Sequence, residues 1–229
     1  MTGAIKTGSD TIVRINFRRL SILINMKRIP KHIGIIPDGN RRWAKQNGLK
    51  KEEGYTYGLA PGLRLLKAAQ NHGIQELTFY GFTVENCKRP KEQVLAFSRA
   101  CIEAVRVLEQ EQADIYVLGN TNSPCFPAEL LPYTGRLRPS ARPDKGLRVN
   151  FLADYGWEWD MKNNWASREI PRIDLVIRWG GMCRLSGFLP VQTVYSDIYI
   201  VKELWPDFQE QQFEDALNWY RKQDVTLGG

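Results

Sequence analysis

Three short stretches of this chain hold residue types that grip phosphate. In the first, Asp38, Gly39, Asn40, Arg41 and Arg42 directly follow the apolar run of residues 32–37. A helix opening at that point would present unpaired N–H groups and a positive dipole end, which favour an anion. Arg41 and Arg42 add planar donors that hold phosphate oxygens in pairs. A carboxylate at such a site can bring Mg2+ against the phosphate. The second stretch contains Thr83, Glu85, Asn86 and Arg89, followed by Pro90. In the third, Arg178 and Arg184 flank the pair Gly180-Gly181, with Ser186 just beyond. Two glycines permit close backbone approach to a ligand. Each stretch also has a plainer reading. Asp38 could be a helix cap with solvent-facing arginines, Thr83 or Asn86 could cap a second helix, and Gly-Gly turns are common.

What joins the three stretches is their position relative to the strands. Apolar runs at residues 32–37, 76–82, 115–118, 147–152, 173–177 and 198–201 read as strands. Leu59, Leu63, Leu66 and Ala69 fall at helical spacing before Gly73. A second helical pattern, Val94, Phe97, Cys101, Val105 and Leu108, follows Pro90, which suits a first turn. A third comprises Phe213, Ala216, Leu217 and Tyr220, and residues 122–145 read as partly irregular. Alternating strands and helices predict a single α/β domain: a largely parallel six-stranded sheet flanked by helices in three layers. Such sheets bind ligands beyond the carboxyl ends of their strands, where the three polar stretches fall.

Composition narrows the function classes. The 229 residues carry a net charge of +7, yet residues 1–32 hold seven basic side chains and one acid. The remainder is close to neutral, which argues against nucleic acid as a partner. Neither a P-loop nor a G-x-G-x-x-G fingerprint is present, which argues against a nucleotide enzyme. Cys87, Cys101, Cys125 and Cys183 show no C-x-x-C spacing, and with only His32 and His72 a zinc site is disfavoured. The expected location is the cytoplasm, as no apolar run has transmembrane length. Residues 1–25 read as an extension ahead of a domain spanning 26–229. The mixture of Arg with Ile, Leu, Val and Phe in residues 12–26 could alternatively touch an anionic membrane surface, on the inner face.

From about His32 to Gly229 the chain resembles the cis-prenyltransferases, typified by undecaprenyl diphosphate synthase. The resemblance is carried by ordered motifs: Asp38-Gly39-Asn40-x-Arg42-Trp43-Ala44, Gly54-x-x-x-Gly58, Glu85-Asn86-x-x-Arg89-Pro90, Asn150-x-x-x-x-Tyr155-Gly156, Asp174-x-x-x-Arg178-x-Gly180-Gly181, Arg184-x-Ser186-x-Phe188-Leu189 and Leu204-Trp-Pro-Asp-Phe208. It implies the family fold, Mg2+, and a reaction that condenses an allylic isoprenoid diphosphate with a second, homoallylic one. By the same resemblance Asp38 binds the metal and assists loss of diphosphate. Gly39, Asn40, Arg41 and Arg42 cradle that diphosphate, with Trp43 beside it. Asn86 stands near the condensing carbons. Lys51, Tyr55, Thr83, Glu85 and Arg89 belong to the substrate site, and Arg178, Arg184 and Ser186 hold the second diphosphate. Asp197 stands where the family has a Glu that shares the metal across a homodimer. The carbocation needs a dry apolar chamber; Phe79, Phe82 and Phe97 could line it or could equally be ordinary core.

Several positions depart from the family pattern. Tyr55 replaces a His, Cys87 a Trp, Trp179 a Thr, Met182 a Glu and Thr226 an Arg, and Pro190 follows Phe188-Leu189. A helical segment between Asp160 and Asp174 is reduced to a short linker. Relatives that join two allylic diphosphates head-to-middle are similar at Tyr55 and Pro190. The expectation is therefore a short-chain or irregular prenyltransferase, with the doubt falling on the second-substrate half. Head-to-tail elongation with isopentenyl diphosphate is the alternative, and a non-catalytic partner subunit is a further one.

Overall fold

The computed structural model describes residues 3–5, 13–15, 28–111, 113–135 and 146–224. Two short strands, β1 (Gly3–Ile5) and β2 (Val13–Ile15), pair antiparallel as a separate ladder. The remainder of the 1–25 extension lies outside the described residues, as does Thr226. No described helix is long and apolar enough to cross a membrane.

The main sheet contains β3 (His32–Ile36), β4 (Glu76–Tyr80), β5 (Asp114–Leu118), β6 (Arg148–Leu152), β7 (Leu175–Arg178) and β8 (Asp197–Ile200). Its order is β5-β6-β4-β3-β7-β8, and every pairing is parallel. From β3 the chain leads to β4 on one side and from β7 to β8 on the other, so the loops that leave β3 and β7 diverge and open a crevice. Asp38 follows β3, Thr83 follows β4, and Arg178 ends β7, so the three phosphate-friendly stretches lie side by side.

Strand periodicity sorts the core into two faces. Ile33, Ile35, Leu175 and Ile177 belong to the larger cluster with Leu65, Leu66, Val105 and Phe213, all fully or nearly fully buried. That face is covered by α3 (Leu59–Asn71), α4 (Lys91–Gln110) and α6 (Glu210–Tyr220). On the other face Ile36 and Val176 pack with Phe188, Leu189, Ile170 and Ile173. Here the cover is thin: the one-and-a-half-turn helix α5 (Trp157–Lys162), a 3-10 turn at Ala166–Glu169, and the loop carrying Phe188. The Phe188 ring lies so near β3 that a Cβ at Gly34 would come within 2.5 Å of it, so glycine is required there.

The linker after α5 is closed by buried polar groups rather than by bulk. Asp160 accepts hydrogen bonds from the Tyr155 hydroxyl at 2.6 Å, the Ser167 hydroxyl at 2.6 Å and the Ser167 N–H at 2.8 Å. Gln192 then donates to the Ser167 carbonyl at 2.8 Å. Every donor placed against the buried carboxylate satisfies it, as burial of a charge demands.

A second polar chain crosses the opposite, amino end of the sheet. His32 Nδ1–H donates to the Arg172 carbonyl at 3.2 Å, and Nε2 accepts from the Thr78 hydroxyl at 2.7 Å. Asn150 donates to Thr78 at 2.9 Å and to Glu76 at 2.7 Å. A carbonyl can only accept, so the neutral ring must carry its proton on Nδ1. Burial is the main cause that holds the His32 pKa at about 4, below its ordinary 6.5. The unfolded chain takes up a proton as pH falls through about 6.5, and the folded chain does so only near 4. The contribution of neutral His32 to stability is thus complete above pH 6.5 and is lost between 6.5 and 4. Its size is on the order of 3 kcal/mol. The expected result is a steeper fall of urea-unfolding free energy over that window in the wild type than in His32→Gln. Parallel pH curves for the two proteins would refute the assignment.

Candidate active site

The crevice is a cleft of about 720 Å³ at the carboxyl end of the sheet. That falls within the range of roughly 300–1,000 Å³ typical of ligand pockets. Asp38, Gly39, Asn40, Arg41, Arg42, Lys51, Tyr55, Thr83, Glu85, Asn86, Arg89, Arg178, Arg184 and Ser186 all line it. Seven basic side chains face three acids, Asp38, Glu85 and Glu158, so the cleft suits a polyanion.

Local geometry explains how each wall is built. Gly39 has φ 116° and caps the short helix α1 (Asn40–Gln46), leaving Asp38 before the helix and its side chain free of any capping role. The capping reading of Asp38 therefore does not hold. Its Oδ2 instead accepts from Arg178 Nη2 at 2.8 Å, while Oδ1 lies 3.5 Å from Arg42 Nη2. Arg178 is buried; its Nη1 donates to the Arg184 carbonyl and, at 2.9 Å, to the Ser186 hydroxyl. Arg42 Nη1 donates to the Gly180 carbonyl at 2.9 Å, and a Cβ at Gly180 would meet Arg42 Nη2 at 2.3 Å. Arg178 Nε and Arg42 Nη2 are buried without a hydrogen-bond partner. Buried donors are normally satisfied, so these two are exceptions at the centre of the cleft wall, and Arg42 Nη2 has only the Asp38 carboxylate at 3.5 Å.

The second wall is a 3-10 turn, Val84–Lys88, with a capping box between Thr83 and Asn86. Asn86 Oδ1 accepts from the Thr83 N–H at 3.1 Å, which leaves the Asn86 amide hydrogens to offer a ligand. Glu85 pairs with Lys88 at 2.7 Å at the exposed rim. Arg89 Nη1 donates to the Tyr55 hydroxyl at 3.0 Å, and Arg41 donates to Gln93 at 3.3 Å. Burial pushes the Tyr55 phenol above its ordinary value against the pull of Arg89, so the hydroxyl keeps its proton.

Two predicted site residues do not reach the cleft. The Trp43 indole N–H donates to Asp207 at 2.6 Å and its ring lies 4.6 Å from Tyr57, so Trp43 braces the outside of α1. Asp197 begins β8, three residues before the level of Arg178, and is held by Arg28 at 3.1 Å. Within one chain it does not join Asp38. The departures from the family pattern also divide. Tyr55 and Met182 line the cleft. Trp179 is fully buried in the core, 4.9 Å from Trp205, with its indole N–H on Gln212 at 2.9 Å, and its side chain does not line the cleft. Cys87 packs on the core with its thiol 3.1 Å from Asp154.

Sequence reasoning missed Lys45, Tyr80, Trp157 and Glu158, which also line the cleft. Lys45 was within reach, since it stands four residues after Arg41 on α1 and so shares its face. Tyr80 ends β4 and its hydroxyl donates to the Ser186 carbonyl at 2.9 Å. That contact joins residues 106 apart in sequence and has no local signal.

A small apolar cavity of about 90 Å³ adjoins the cleft. Phe79, Leu63, Ala104, Leu108 and Phe151 are among its walls. Phe97 lines both spaces, whereas Phe82 is core alone.

The donor set also suits Mg2+. Among the described residues no group of three His, Cys, Asp or Glu side chains could enclose a metal. Mg2+ does not need such a cage: it binds through one or two carboxylates together with substrate phosphates. Asp38, partly exposed and flanked by Arg42 and Arg178, is the carboxylate that fits.

The comparisons with known proteins agree with this geometry. The Prenyltransf model of the undecaprenyl diphosphate synthase family matches residues 36–169 and 161–228. The ditrans,polycis-undecaprenyl-diphosphate synthase ((2E,6E)-farnesyl-diphosphate specific) of Pectobacterium atrosepticum is 34% identical over 87% of this chain and 90% of its own. The enzyme of the same description from Escherichia coli K12 is 31% identical over 87% and 90%. In fold, the crystal structure of lavandulyl diphosphate synthase from Lavandula x intermedia in complex with dimethylallyl diphosphate matches with a TM-score of 0.71. It is 24% identical and spans 88% of this chain and 99% of that one. Family, sheet and cleft lead to one assignment: this chain belongs to the undecaprenyl diphosphate synthase family of cis-prenyltransferases and is a prenyl-transferring enzyme.

Proposed function

We propose that the chain joins two short isoprenoid diphosphates, at least one of them allylic, and releases a short-chain prenyl diphosphate. The observation that carries this reading is the disparity of the two spaces. The charged cleft has room for two diphosphate groups, while the apolar cavity beside it is only about 90 Å³. A long polyprenyl product would need far more apolar volume.

In the proposed reaction the allylic C–O bond breaks and the diphosphate departs with the bonding pair. Arg41, Arg42 and Arg89 stabilise the charge that develops on its oxygens. The double bond of the second substrate supplies the pair for the new C–C bond. The proton then lost from the resulting cation passes to the released diphosphate. Arg178, Arg184 and Ser186 hold the second diphosphate, and Asn86 offers its amide hydrogens between the two. Mg2+, when bound at Asp38, supplies Lewis-acid stabilisation of the leaving group.

Head-to-middle joining of two allylic units is favoured by Tyr55 and Pro190, the positions that resemble irregular relatives. Head-to-tail joining with isopentenyl diphosphate is favoured by the curated relatives, whose names specify undecaprenyl products.

Two measurements test this function. Incubated with Mg2+ and dimethylallyl diphosphate alone, the protein is expected to yield a ten-carbon diphosphate detectable by mass spectrometry. Absence of product until isopentenyl diphosphate is added would overturn head-to-middle joining, and long polyprenyl products would overturn the short-chain reading. Asp38→Asn keeps a hydrogen-bond acceptor for Arg178 but loses the charge that binds the metal. Its kcat/KM is expected to fall by at least ~100-fold when measured well below the Tm of both proteins, because loss of the Asp38 charge also weakens its pairing with Arg178. Near-full activity would remove Asp38 from the metal site.

A further inference from the structure

Cys87 and Cys125 come from two separate loops and meet beside one buried carboxylate. Cys87 lies in the 3-10 turn Val84–Lys88, the turn that carries Asn86. Cys125 lies in the loop that follows β5. Between these loops run residues 153–155, just beyond β6. On one side the Val84 N–H donates to the Tyr155 carbonyl at 3.1 Å. On the other the Asn120 N–H donates to the Asp154 carbonyl at 3.1 Å, and a Cβ at Gly119 would strike the Ala153 carbonyl. Both loops are thus pinned to the same three residues. The two thiols lie within hydrogen-bonding reach of each other, and both side chains are only partly buried.

The third member of the cluster is Asp154, which is fully buried. Its Oδ1 accepts from the Cys87 thiol at 3.1 Å, and its Oδ2 is buried with no hydrogen-bond partner. Among the described residues, Cys87 is therefore the one donor to this carboxylate. Burial, helped by Cys125 and Asp154, pushes the Cys87 thiol far above its ordinary value, so it keeps the proton it donates. The cluster is not a metal site, since no group of three His, Cys, Asp or Glu among the described residues could enclose an ion. Two adjacent thiols have a different chemistry open to them.

We propose that Cys87 and Cys125 are a site of reversible covalent modification, at which a small-molecule disulfide such as oxidised glutathione joins them into a cross-link between the Asn86 turn and the loop after β5. Cys125 gives its proton to water, and its thiolate attacks one sulfur of the oxidant. The S–S bond of the oxidant breaks, and one glutathione leaves as a thiolate that takes a proton from water. The Cys87 sulfur then attacks the Cys125 mixed disulfide and displaces the second glutathione. Its proton passes through Asp154 Oδ1 to that departing thiolate. Two protein thiols are oxidised, and one glutathione disulfide is reduced to two thiols. The cross-link strips Asp154 of its one donor, which makes the bond costly to form and easy to reduce, unlike a structural disulfide. The turn must also shift toward the loop, and it takes Asn86 and Arg89 with it. The effect on turnover rests on the proposed function, whereas formation of the bond does not.

The test equilibrates the full chain in glutathione buffers from fully reduced to fully oxidised. Free thiols are then alkylated, and the unreduced digest is mapped by mass spectrometry. The expected result in oxidising buffer is a peptide pair joined through Cys87 and Cys125. The kcat/KM of prenyl transfer should fall ~10-fold or more, because small displacements of positioned groups are costly, and dithiothreitol should restore it. Cys125→Ser should show no such fall in the oxidising buffer, and Cys125→Ala replaces it if that variant fails to fold. Cys87 and Cys125 left as free thiols, or as separate glutathione adducts, in the most oxidising buffer would overturn the site. A cross-link that survives the most reducing buffer, or one that leaves kcat/KM unchanged, would overturn its reversible action on the cleft. A reduced wild type without prenyl transfer brings down the proposed function instead, and the peptide map still reads the cross-link.

Discussion

A buried guanidinium at the end of β7 holds the active-site end of this molecule together. Arg178 reaches Asp38 beyond β3 and the Arg184–Ser186 loop beyond its own strand. A buried charge is tolerated only when paired and hydrogen-bonded. Arg178 therefore needs both partners, and in meeting that need it fixes the spacing of the two walls of the cleft. The strand register sets the level of this contact, since Ile36 pairs directly with Arg178. Ser186, at φ 53°, and Gly187, at φ 80°, bend the loop back so that the hydroxyl meets the guanidinium. The Tyr80 hydroxyl holds the Ser186 carbonyl from a third strand.

That constraint gives the cleft its chemical asymmetry. Asp38 is an anion between Arg178 and Arg42, whereas Arg178 Nε and Arg42 Nη2 retain unused hydrogen-bonding capacity. The cleft as a whole carries basic side chains in excess of acidic ones. The asymmetry continues inward. Beyond the donors, the wall turns apolar at Tyr55 and Phe97, separating the charge-stabilising region from the region that must exclude water. The two spaces meet at the stacked rings of Phe97 and of Tyr55 on the four-residue helix α2 (Gly54–Tyr57).

The two sheet faces differ in how they are secured, and this bears on which parts can vary. The face beneath α3, α4 and α6 is a broad aliphatic and aromatic core that includes Trp179, Trp205 and Phe208. The other face relies on a short linker whose closure depends on Asp160, Ser167 and Gln192. Apolar cover there is thin, and buried hydrogen bonds hold the linker in place. Trp179 illustrates the same division, since a position expected to alter the substrate site turns out to fill the larger core.

Much of the fold was legible in the residue pattern. Six apolar runs, the helical spacing around Leu66 and Val105, and the helix stop at Gly73 depend on local periodicity and local backbone preference. Those are properties of neighbouring residues. The placement of Asp38, Asn86, Arg89 and Arg178 at strand ends was legible for the same reason, because a parallel sheet gathers its carboxyl ends at one edge. What the chain alone could not reveal were contacts between distant residues: Tyr80 on Ser186, Trp43 turned outward to Asp207, Trp179 buried, Asp197 three residues below the site and bound to Arg28. A side chain's direction depends on what packs beside it, and here the partners lie from about thirty to more than a hundred and sixty residues away. The residue types therefore determined the chemistry available to this protein. The tertiary structure decided which of them share one cleft, because only packing brings a guanidinium, a carboxylate and a pair of stacked rings to one place.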